Sequence, residues 1–428
     1  MRDLLDRGAD PDAVDAGGLP VLCGAVAACD APVAEALVEG GADADQVLPD
    51  GTTPLWRAVD GGSPAVFSAV LGKEPRLRLP EAARERLLAL ARDWYETGAV
   101  EELRRRTGAS GPAVTVRVQD DEYDWVDLVS LGGLIVRAGH GAILTSLEWA
   151  FRILTPVDEL IARAVGRYDE DHVNWSTVCW ILTQRRSLET WSAVVAHRHD
   201  RDPAHRRFVV DYLRMRGFLD TSPYYEKKES NLLAAWAAEE TDGEMLARVL
   251  DAFTGRDHPG QEAIGLRYCD HPDPRVRREV PYALCVDDVP RSPAARAALL
   301  TLMRDPDAEV RLRACTASMR DDALVSEITR ALLLLTEDLD ADSRGAAVAA
   351  LAGSRDRTSA VADALAGLLD EDNQLVRLEA AYGLALRDDP RTAEAIERVG
   401  PLGHGFEDDH RADELWRWRW RKENSAAE

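Results

Sequence analysis

The chain has no run of 18 apolar residues, no secretory signal and no lipidation motif, so nothing in it directs it to a membrane or to export. Its six cysteines have no CxxC spacing, which argues against disulfides and against a cysteine zinc site. These are Cys23, Cys29, Cys179, Cys269, Cys285 and Cys315. We expect them to be small core residues in a reducing compartment, and we therefore expect a cytoplasmic protein.

The motifs of several large enzyme classes are missing as well. There is no GxSxG, no HExxH, no P-loop, and no GxGxxG between a strand and a helix. The histidine–glutamate pairs that hold iron in some helical-repeat enzymes are absent too. We therefore expect a protein that is not an enzyme, with no catalytic residues, no cofactor and no metal ion.

Positive charge is scarce. The chain has 52 lysines and arginines against 76 aspartates and glutamates, which gives a formal net charge of −24 and an isoelectric point near 4.8. Only Lys73, Lys227, Lys228 and Lys422 are lysines, a bias that we attribute to a GC-rich, bacterial genome. A chain this acidic repels nucleic acid and anionic lipid. We expect no nucleic acid bound by the repeats and no membrane contact, and the oligomeric state is left open.

A ladder of four arginines organises the second half of the chain. The rungs are Arg277, Arg311, Arg344 and Arg377, which recur with a period of about 33 residues. Each follows an acidic or amide turn residue that can cap a helix, and small or apolar residues recur after it at helical spacing. A second apolar helix repeats with the same period through Leu299, Leu332 and Leu365. Two short helices per period predict a helical solenoid, in which we expect the arginines to tie neighbouring repeats together rather than bind phosphate.

This pattern resembles HEAT repeats of the phycobilisome-lyase type over residues 258–400. A degenerate turn at Asp202–Arg206 precedes the first rung, and the interval from Arg206 to Arg277 is close to two periods. We therefore extend the HEAT-like stack back to about residue 145.

The amino-terminal stretch 1–72 carries a period of the same length. Gly8-Ala9-Asp10 recurs as Gly41-Ala42-Asp43, and the segment from Asp50 to Ala58 contains a Thr-Pro-Leu helix start. This stretch resembles ankyrin repeats. The resemblance implies partner contacts at Asp50, Thr52, Trp56, Arg57 and Asp60. Met1 falls at the start of a second helix, so we expect either that the natural start lies upstream or that another chain covers this end.

The segment between the two arrays changes in style. Val114, Val116 and Val118 alternate with polar residues, and with Leu134–Val136 they predict a small β-hairpin. Thr145 and Glu148 have the spacing of a capping box, which predicts a helix start at that point. Residues 145–257 are helical and rich in tryptophan.

Four groups of residues could carry chemistry or binding. Asp120–Asp124 with His140 could form a metal or acid–base site, but a solvated loop and a turn histidine are the preferred interpretation. His197, His199 and His205 could gather a metal, but we prefer an ordinary inter-helix turn. Tryptophans could line a peptide groove or fill the core, and the binding candidates are Trp175, Trp180 and Trp191. The basic run from Trp416 to Lys422 could stack on nucleic-acid bases or lipid headgroups, but we prefer Trp416 and Trp420 capping the last repeat.

The expected fold is mostly α, an α–α superhelical solenoid of ankyrin-like and HEAT-like repeats with a small β-hairpin near 113–137. The expected divisions are 1–106 (ankyrin-like repeats and connecting helices), 107–144 (β insertion), 145–257 (tryptophan-rich repeats), 258–400 (HEAT-like repeats) and 401–428 (a Trp/Arg tail). The expected function is a non-catalytic scaffold or adaptor that holds a protein or peptide partner. Two alternatives remain: an acidic decoy that inhibits a basic or nucleic-acid-binding protein, and a lyase-like enzyme or chaperone that uses the tryptophan-rich middle.

Overall fold

The computed structural model describes residues 1–166, 169–219, 222–286, 290–338, 340–406 and 409–425. Within these ranges there are 25 α-helices and a single three-stranded sheet, so the predicted mostly-α fold with a β insertion is confirmed. The chain divides into two compact units, residues 1–219 and residues 220–428. None of the described helices combines the length and the apolar character needed to cross a membrane.

Residues 1–219 contain thirteen helices in the described ranges, and paired short helices open the unit. The helices are α1 (Arg2–Asp6), α2 (Val21–Ala27), α3 (Ala31–Glu39), α4 (Pro54–Gly61), α5 (Pro64–Leu71), α6 (Pro75–Arg78), α7 (Glu81–Thr97), α8 (Ala99–Thr107), α9 (His140–Ala150), α10 (Val157–Val165), α11 (Val173–Gln184), α12 (Leu188–Ala196) and α13 (Pro203–Leu219). Helix α2 packs on α4, and α3 packs on α5. The first core is built from their buried faces, with Leu22, Leu55 and Phe67 almost fully covered.

Local chemistry sets the ends of these helices. Thr53 precedes Pro54 and its hydroxyl accepts a hydrogen bond from the Trp56 amide, with Oγ1 and N 3.1 Å apart. Gly62 ends α4 in the left-handed region at φ 72°. A Cβ at Gly62 would overlap the carbonyl oxygen of Arg137, so a glycine is required where the β insertion meets this turn.

The insertion is an antiparallel meander of three strands in the order β1–β2–β3. The strands are β1 (Val114–Gln119), β2 (Trp125–Leu131) and β3 (Leu134–Arg137). The predicted β insertion is confirmed, but the predicted pairing of the strand at Val114–Val118 with Leu134–Val136 is wrong. The strand β2 lies between them and pairs Leu128 with Val116 and Val129 with Val136. Adjacent apolar residues Leu128 and Val129 break the polar–apolar alternation that identifies a strand in a sequence.

The predicted capping box at Thr145 is wrong. Helix α9 already begins at His140, and the amide of Ile143 donates to the carbonyl oxygen of Gly139. Thr145 is buried within the helix and donates its hydroxyl proton to the carbonyl oxygen of Gly141 at 2.8 Å. The Ser/Thr-x-x-Glu spacing alone cannot distinguish a helix start from a buried threonine bonded back to its own helix.

Residues 220–428 form a solenoid of stacked helix pairs within the described ranges. The helices are α14 (Pro223–Glu239), α15 (Gly243–Thr254), α16 (Gln261–Tyr268), α17 (Pro274–Leu284), α18 (Pro293–Leu302), α19 (Ala308–Ser318), α20 (Val325–Leu335), α21 (Ala341–Gly353), α22 (Ser359–Gly367), α23 (Gln374–Leu386), α24 (Thr392–Val399) and α25 (His410–Ser425). The odd-numbered helices from α15 to α25 each pack on the next odd-numbered helix, which is the nearest-neighbour stacking of a repeat protein.

The predicted helix caps of this unit are confirmed. In four successive repeats the side chain of the turn residue accepts a hydrogen bond from an amide in the first helical turn. The caps are Asp273 to Arg275, Asp307 to Val310, Asp340 to Ser343 and Asn373 to Leu375, at 2.9, 3.0, 2.7 and 2.9 Å. Each cap satisfies an amide that the helix itself leaves without a partner, so the repeated turn residue fixes where each helix begins.

Candidate functional site: a tryptophan-lined groove

A groove of about 940 Å³ lies within residues 1–219. Its walls come from α3, α5, α9, α11 and α13, and the loop between β1 and β2 forms one edge. Segments that are far apart in the sequence therefore supply one surface. Its size lies within the range of sites that hold ligands or peptide side chains.

Three aromatic side chains are among the described residues that line the groove. Trp180 of α11 is 47% exposed, and Tyr123 of the β1–β2 loop is 78% exposed. Trp149 of α9 is half-buried beside them, with the guanidinium of Arg152 5.5 Å from its ring centre. Exposed tryptophan and tyrosine at a concave surface are the residue types that dominate protein–protein binding energy.

The rim of the groove is acidic. Glu35, Asp121, Glu122 and Asp124 line it, and no lysine or arginine is among its described lining residues. Asp121 organises the loop by accepting hydrogen bonds from the amides of Tyr123 and Asp124, both at 2.8 Å. Burial raises the pKa of the Asp124 carboxyl, and the charge of Asp121 raises it further. The clustered carboxylates of Asp121, Glu122 and Asp124 would attract a cationic group that enters the groove.

Asp120 fits neither of the two interpretations made from the sequence, a metal or acid–base site and a solvated loop. Its side chain is fully buried and accepts hydrogen bonds from Ser63 Oγ (2.7 Å), the Ala65 amide (2.8 Å) and Arg137 Nη1 (2.6 Å). It thus joins the β insertion to the start of α5. The expected solvated loop is therefore wrong at this position, because the partners of Asp120 lie 55 and 57 residues away in the sequence.

His140 is not a turn histidine on the surface either. It is buried, its ring stacks on Trp94 with centroids 4.6 Å apart, and its Nε2 lies 3.4 Å from the carbonyl oxygen of Asp60. Burial lowers its pKa to about 4. The imidazole is therefore neutral near pH 7 and acts as a core residue.

Of the three tryptophans singled out in the sequence, only Trp180 lines the groove. Trp175 and Trp191 are 4% and 6% exposed. Trp175 donates from Nε1 to the Asp211 carboxylate at 3.0 Å and packs edge-on against Phe208. These two rings belong to the core, and helical periodicity in this irregular stretch does not separate them from Trp180.

The positions taken from the amino-terminal repeats lie on and beside α4, and three of them, Asp50, Thr52 and Arg57, are hydrogen-bonded to one another. The carboxylate of Asp50 accepts from Thr52 Oγ1 at 2.7 Å and from Arg57 Nη2 at 2.8 Å. The Thr52 hydroxyl and amide lower the pKa of Asp50 to about 2. Asp60 accepts from Trp94 Nε1 and Arg106 Nη1, and Trp56 is half-buried against the first core. None of these five residues is among those lining the groove.

The arginine ladder lies in residues 220–428, and its rungs share one contact. Each Nη1 donates to the turn carbonyl six residues earlier, and the acceptors for Arg277, Arg311, Arg344 and Arg377 are His271, Asp305, Asp338 and Glu371 at 2.7, 2.8, 2.7 and 2.6 Å. Rungs also reach the next repeat: Arg277 contacts the Asp305 carboxylate at 2.7 Å, and Arg311 contacts Asp338 at 2.8 Å. The Nε of Arg377 donates to the carbonyl oxygen of Arg398 at 3.0 Å. The guanidiniums thus satisfy turn carbonyls of their own repeat as well as carboxylates of the following one.

The last helix presents a different face from the one expected. Leu415 and Trp418 are buried, and Trp418 donates from Nε1 to the Asp388 carboxylate at 2.8 Å. Trp416 and Trp420 are 66% and 55% exposed, so the prediction that they cap the last repeat is wrong. Helix α25 packs on α23.

Comparison with known proteins yields no family. No protein-family model matches the chain, and no curated protein matches it. The crystal structure of YibA from Escherichia coli aligns with 62% of this chain and 93% of its own, at 17% identity and a TM-score of 0.46. In the part of the chain that the structure describes, the architecture is that of a helical repeat protein with one β insertion.

Proposed function

We propose that the protein is a non-catalytic scaffold or adaptor, and that the groove in residues 1–219 holds a segment of a partner protein. The observation that carries this proposal is the presence of exposed Trp180 and Tyr123 beside an acidic rim. The proposal includes a cytoplasmic location and no need for a cofactor.

The proposal assigns ankyrin-like repeats to residues 1–72 and HEAT-like repeats of the phycobilisome-lyase type to residues 258–400. The Thr53–Pro54 helix start and the left-handed Gly41 support the first assignment. The recurring Asp or Asn caps and the arginine contacts support the second. In this proposal the ladder stabilises the stack, and Asp50, Thr52 and Arg57 shape the surface of the amino-terminal repeats.

The chemistry of the groove favours one kind of partner segment. Trp180, Trp149 and Tyr123 offer apolar surface, which favours apolar anchors on the partner. The acidic rim favours lysine or arginine beside those anchors, because opposite charges steer association and suppress acidic competitors. A basic amphipathic helix or strand satisfies both requirements. With a net charge of −24, we do not propose nucleic acid or anionic membrane as ligands of the repeats.

A synthetic amphipathic peptide of leucine and lysine tests the proposal. We expect it to bind the full chain saturably, and we expect an otherwise identical leucine–glutamate peptide not to bind. The replacement Trp180→Ala should weaken binding about 30-fold, as expected for a tryptophan hot spot worth about 2 kcal/mol. Fluorescence anisotropy of the labelled peptides at two salt concentrations measures the difference in affinity between the two peptides and the loss of affinity caused by Trp180→Ala.

The matched control is Trp420→Ala, because Trp420 is a similarly exposed tryptophan in the other unit. Nonspecific attraction between the basic peptide and the acidic chain would give both tryptophan variants the same affinity. Equal affinities of the two variants would therefore place the binding surface outside the groove.

A further inference from the structure

Two histidines and an aspartate meet at the corner between α12 and α13. His197 lies in the 3-10 turn that follows α12, Asp200 ends that turn, and His205 lies in the first turn of α13. Their possible ligand atoms all lie within 4.8 Å of one another. The two imidazole rings have centroids 5.5 Å apart and are nearly parallel, with an angle of 22° between their planes.

A carboxylate orients the ring of His197, and another carboxylate lies near the ring of His205. The Nε2 atom of His197 lies 3.1 Å from Oδ1 of Asp158 on α10, and Nδ1 of His205 lies 3.5 Å from Oδ2 of Asp202. With Nε2 of His197 held by Asp158, its Nδ1 lies 3.6 Å from Oδ2 of Asp200. A carboxylate on one ring nitrogen is the usual way in which proteins orient a histidine whose other nitrogen binds a metal.

A hydrogen bond also orients the carboxylate of Asp200. Its Oδ1 accepts the Asp202 amide at 3.0 Å, which leaves Oδ2 directed toward His197. All three side chains are partly open to solvent, so an ion can reach them.

We propose that His197, Asp200 and His205 bind one divalent transition-metal ion, best matched by Zn²⁺. Two imidazoles and one carboxylate are a familiar zinc ligand set, with the fourth position left to water. Two imidazoles on one tetrahedral zinc place their ring centroids about 5 Å apart, close to the spacing found here. Only a small movement would bring the three ligand atoms to zinc-binding distance, because the three residues lie in one short turn and at the start of the helix next to it.

Such an ion would join the turn after α12 to the start of α13 directly, and would reach α10 through the contact of His197 with Asp158. Asp158 belongs to α10, His197 follows α12, and His205 begins α13, and α10 packs on both α12 and α13. Bound zinc would therefore stabilise this corner of residues 1–219. That role goes beyond partner binding and does not depend on the groove.

Zinc titration of the full, untagged, chelator-treated chain tests the proposal. We expect one Zn²⁺ per chain by competition with a fluorescent chelator, and a higher melting temperature that EDTA reverses. His197→Ala and His205→Ala should each weaken binding at least 30-fold, and Asp158→Asn should weaken it about 10-fold. Cobalt in place of zinc should give the visible absorption of a tetrahedral site.

His199→Ala is the matched control, because His199 lies in the same turn, is exposed and is not part of the cluster. This variant should bind zinc like the parent chain. If His197→Ala disturbs the fold by circular dichroism, His197→Gln replaces it. Absence of saturable zinc binding, or equal binding by the His197, His199 and His205 variants, overturns the site and shows that the histidines serve only as partners of the aspartates.

Discussion

Replacing Arg163 by alanine is expected to destabilise residues 1–219 by about 3–5 kcal/mol, because it leaves a buried carboxylate without its main partner. The side chains of Arg163 and Glu148 are 2% and 5% exposed, and Nη1 of Arg163 lies 2.9 Å from Oε2 of Glu148. The same guanidinium donates to Thr145 Oγ1 at 2.7 Å and lies 5.4 Å from the ring centre of Tyr95. Urea unfolding followed by circular dichroism measures the loss.

Arg92 provides the control for this prediction, because it approaches the same Glu148 carboxylate from the surface. Its Nη2 lies 3.6 Å from Oε1, and its side chain is 48% exposed. Arg92→Ala should cost less than about 1 kcal/mol, since solvent screens the pair. The double variant Arg163→Ala with Glu148→Gln should recover part of the loss because it removes the stranded charge. Equal costs for Arg92→Ala and Arg163→Ala would contradict the assignment of Arg163 as the main partner of Glu148.

The second large effect is a dependence of the unfolding free energy on pH, and it arises from His140. Its pKa of about 4 in the folded chain lies below the usual value near 6.5, so the unfolded chain binds more protons between these values. Stability therefore rises with pH across this window and is lost as the solution is acidified. The pKa difference of His140 contributes about 3 kcal/mol in full to the free energy of unfolding. About 2 kcal/mol of this stability should be lost when the pH falls from 7 to 5.

The variant His140→Phe isolates that contribution. Phenylalanine keeps a flat ring against Trp94 but cannot be protonated. The difference in unfolding free energy between pH 7 and pH 5 should be about 2 kcal/mol smaller in the variant than in the parent chain, because the variant has no proton to bind at this position. Paired aspartates such as Asp409, whose pKa lies well below its usual range, act in both proteins and cancel. An identical pH dependence in the two proteins would mean that His140 is accessible to protons in the folded state.

The repeats were predictable because their signals are local. The spacing of Arg277, Arg311, Arg344 and Arg377 follows the helix pairs. Each capping Asp or Asn lies two or three residues before the residue whose amide donates a hydrogen bond to it. Such short-range pairs are visible in the sequence. The repeat period then places the same arrangement at regular intervals along the chain.

The groove was not predictable because its residues meet only through long-range packing. Trp180 lines it and Trp175, five positions earlier on the same helix, is buried, although both are tryptophans in an apolar stretch. Asp120 was expected in solvent, but Ser63 and Arg137 enclose it. The missing information is which helix faces which neighbour, and neither composition nor spacing contains it.

Amide hydrogen exchange of the full chain, with and without the leucine–lysine peptide, is the most direct test of the groove as the binding surface. The expected result is slower exchange on binding in the segments that line the groove, residues 64–71, 120–124, 146–150 and 173–181. Residues 290–338 should exchange equally fast in both samples. Slowing confined to residues outside 1–219, at saturating peptide, would contradict the assignment of the groove as the place where this scaffold holds its partner.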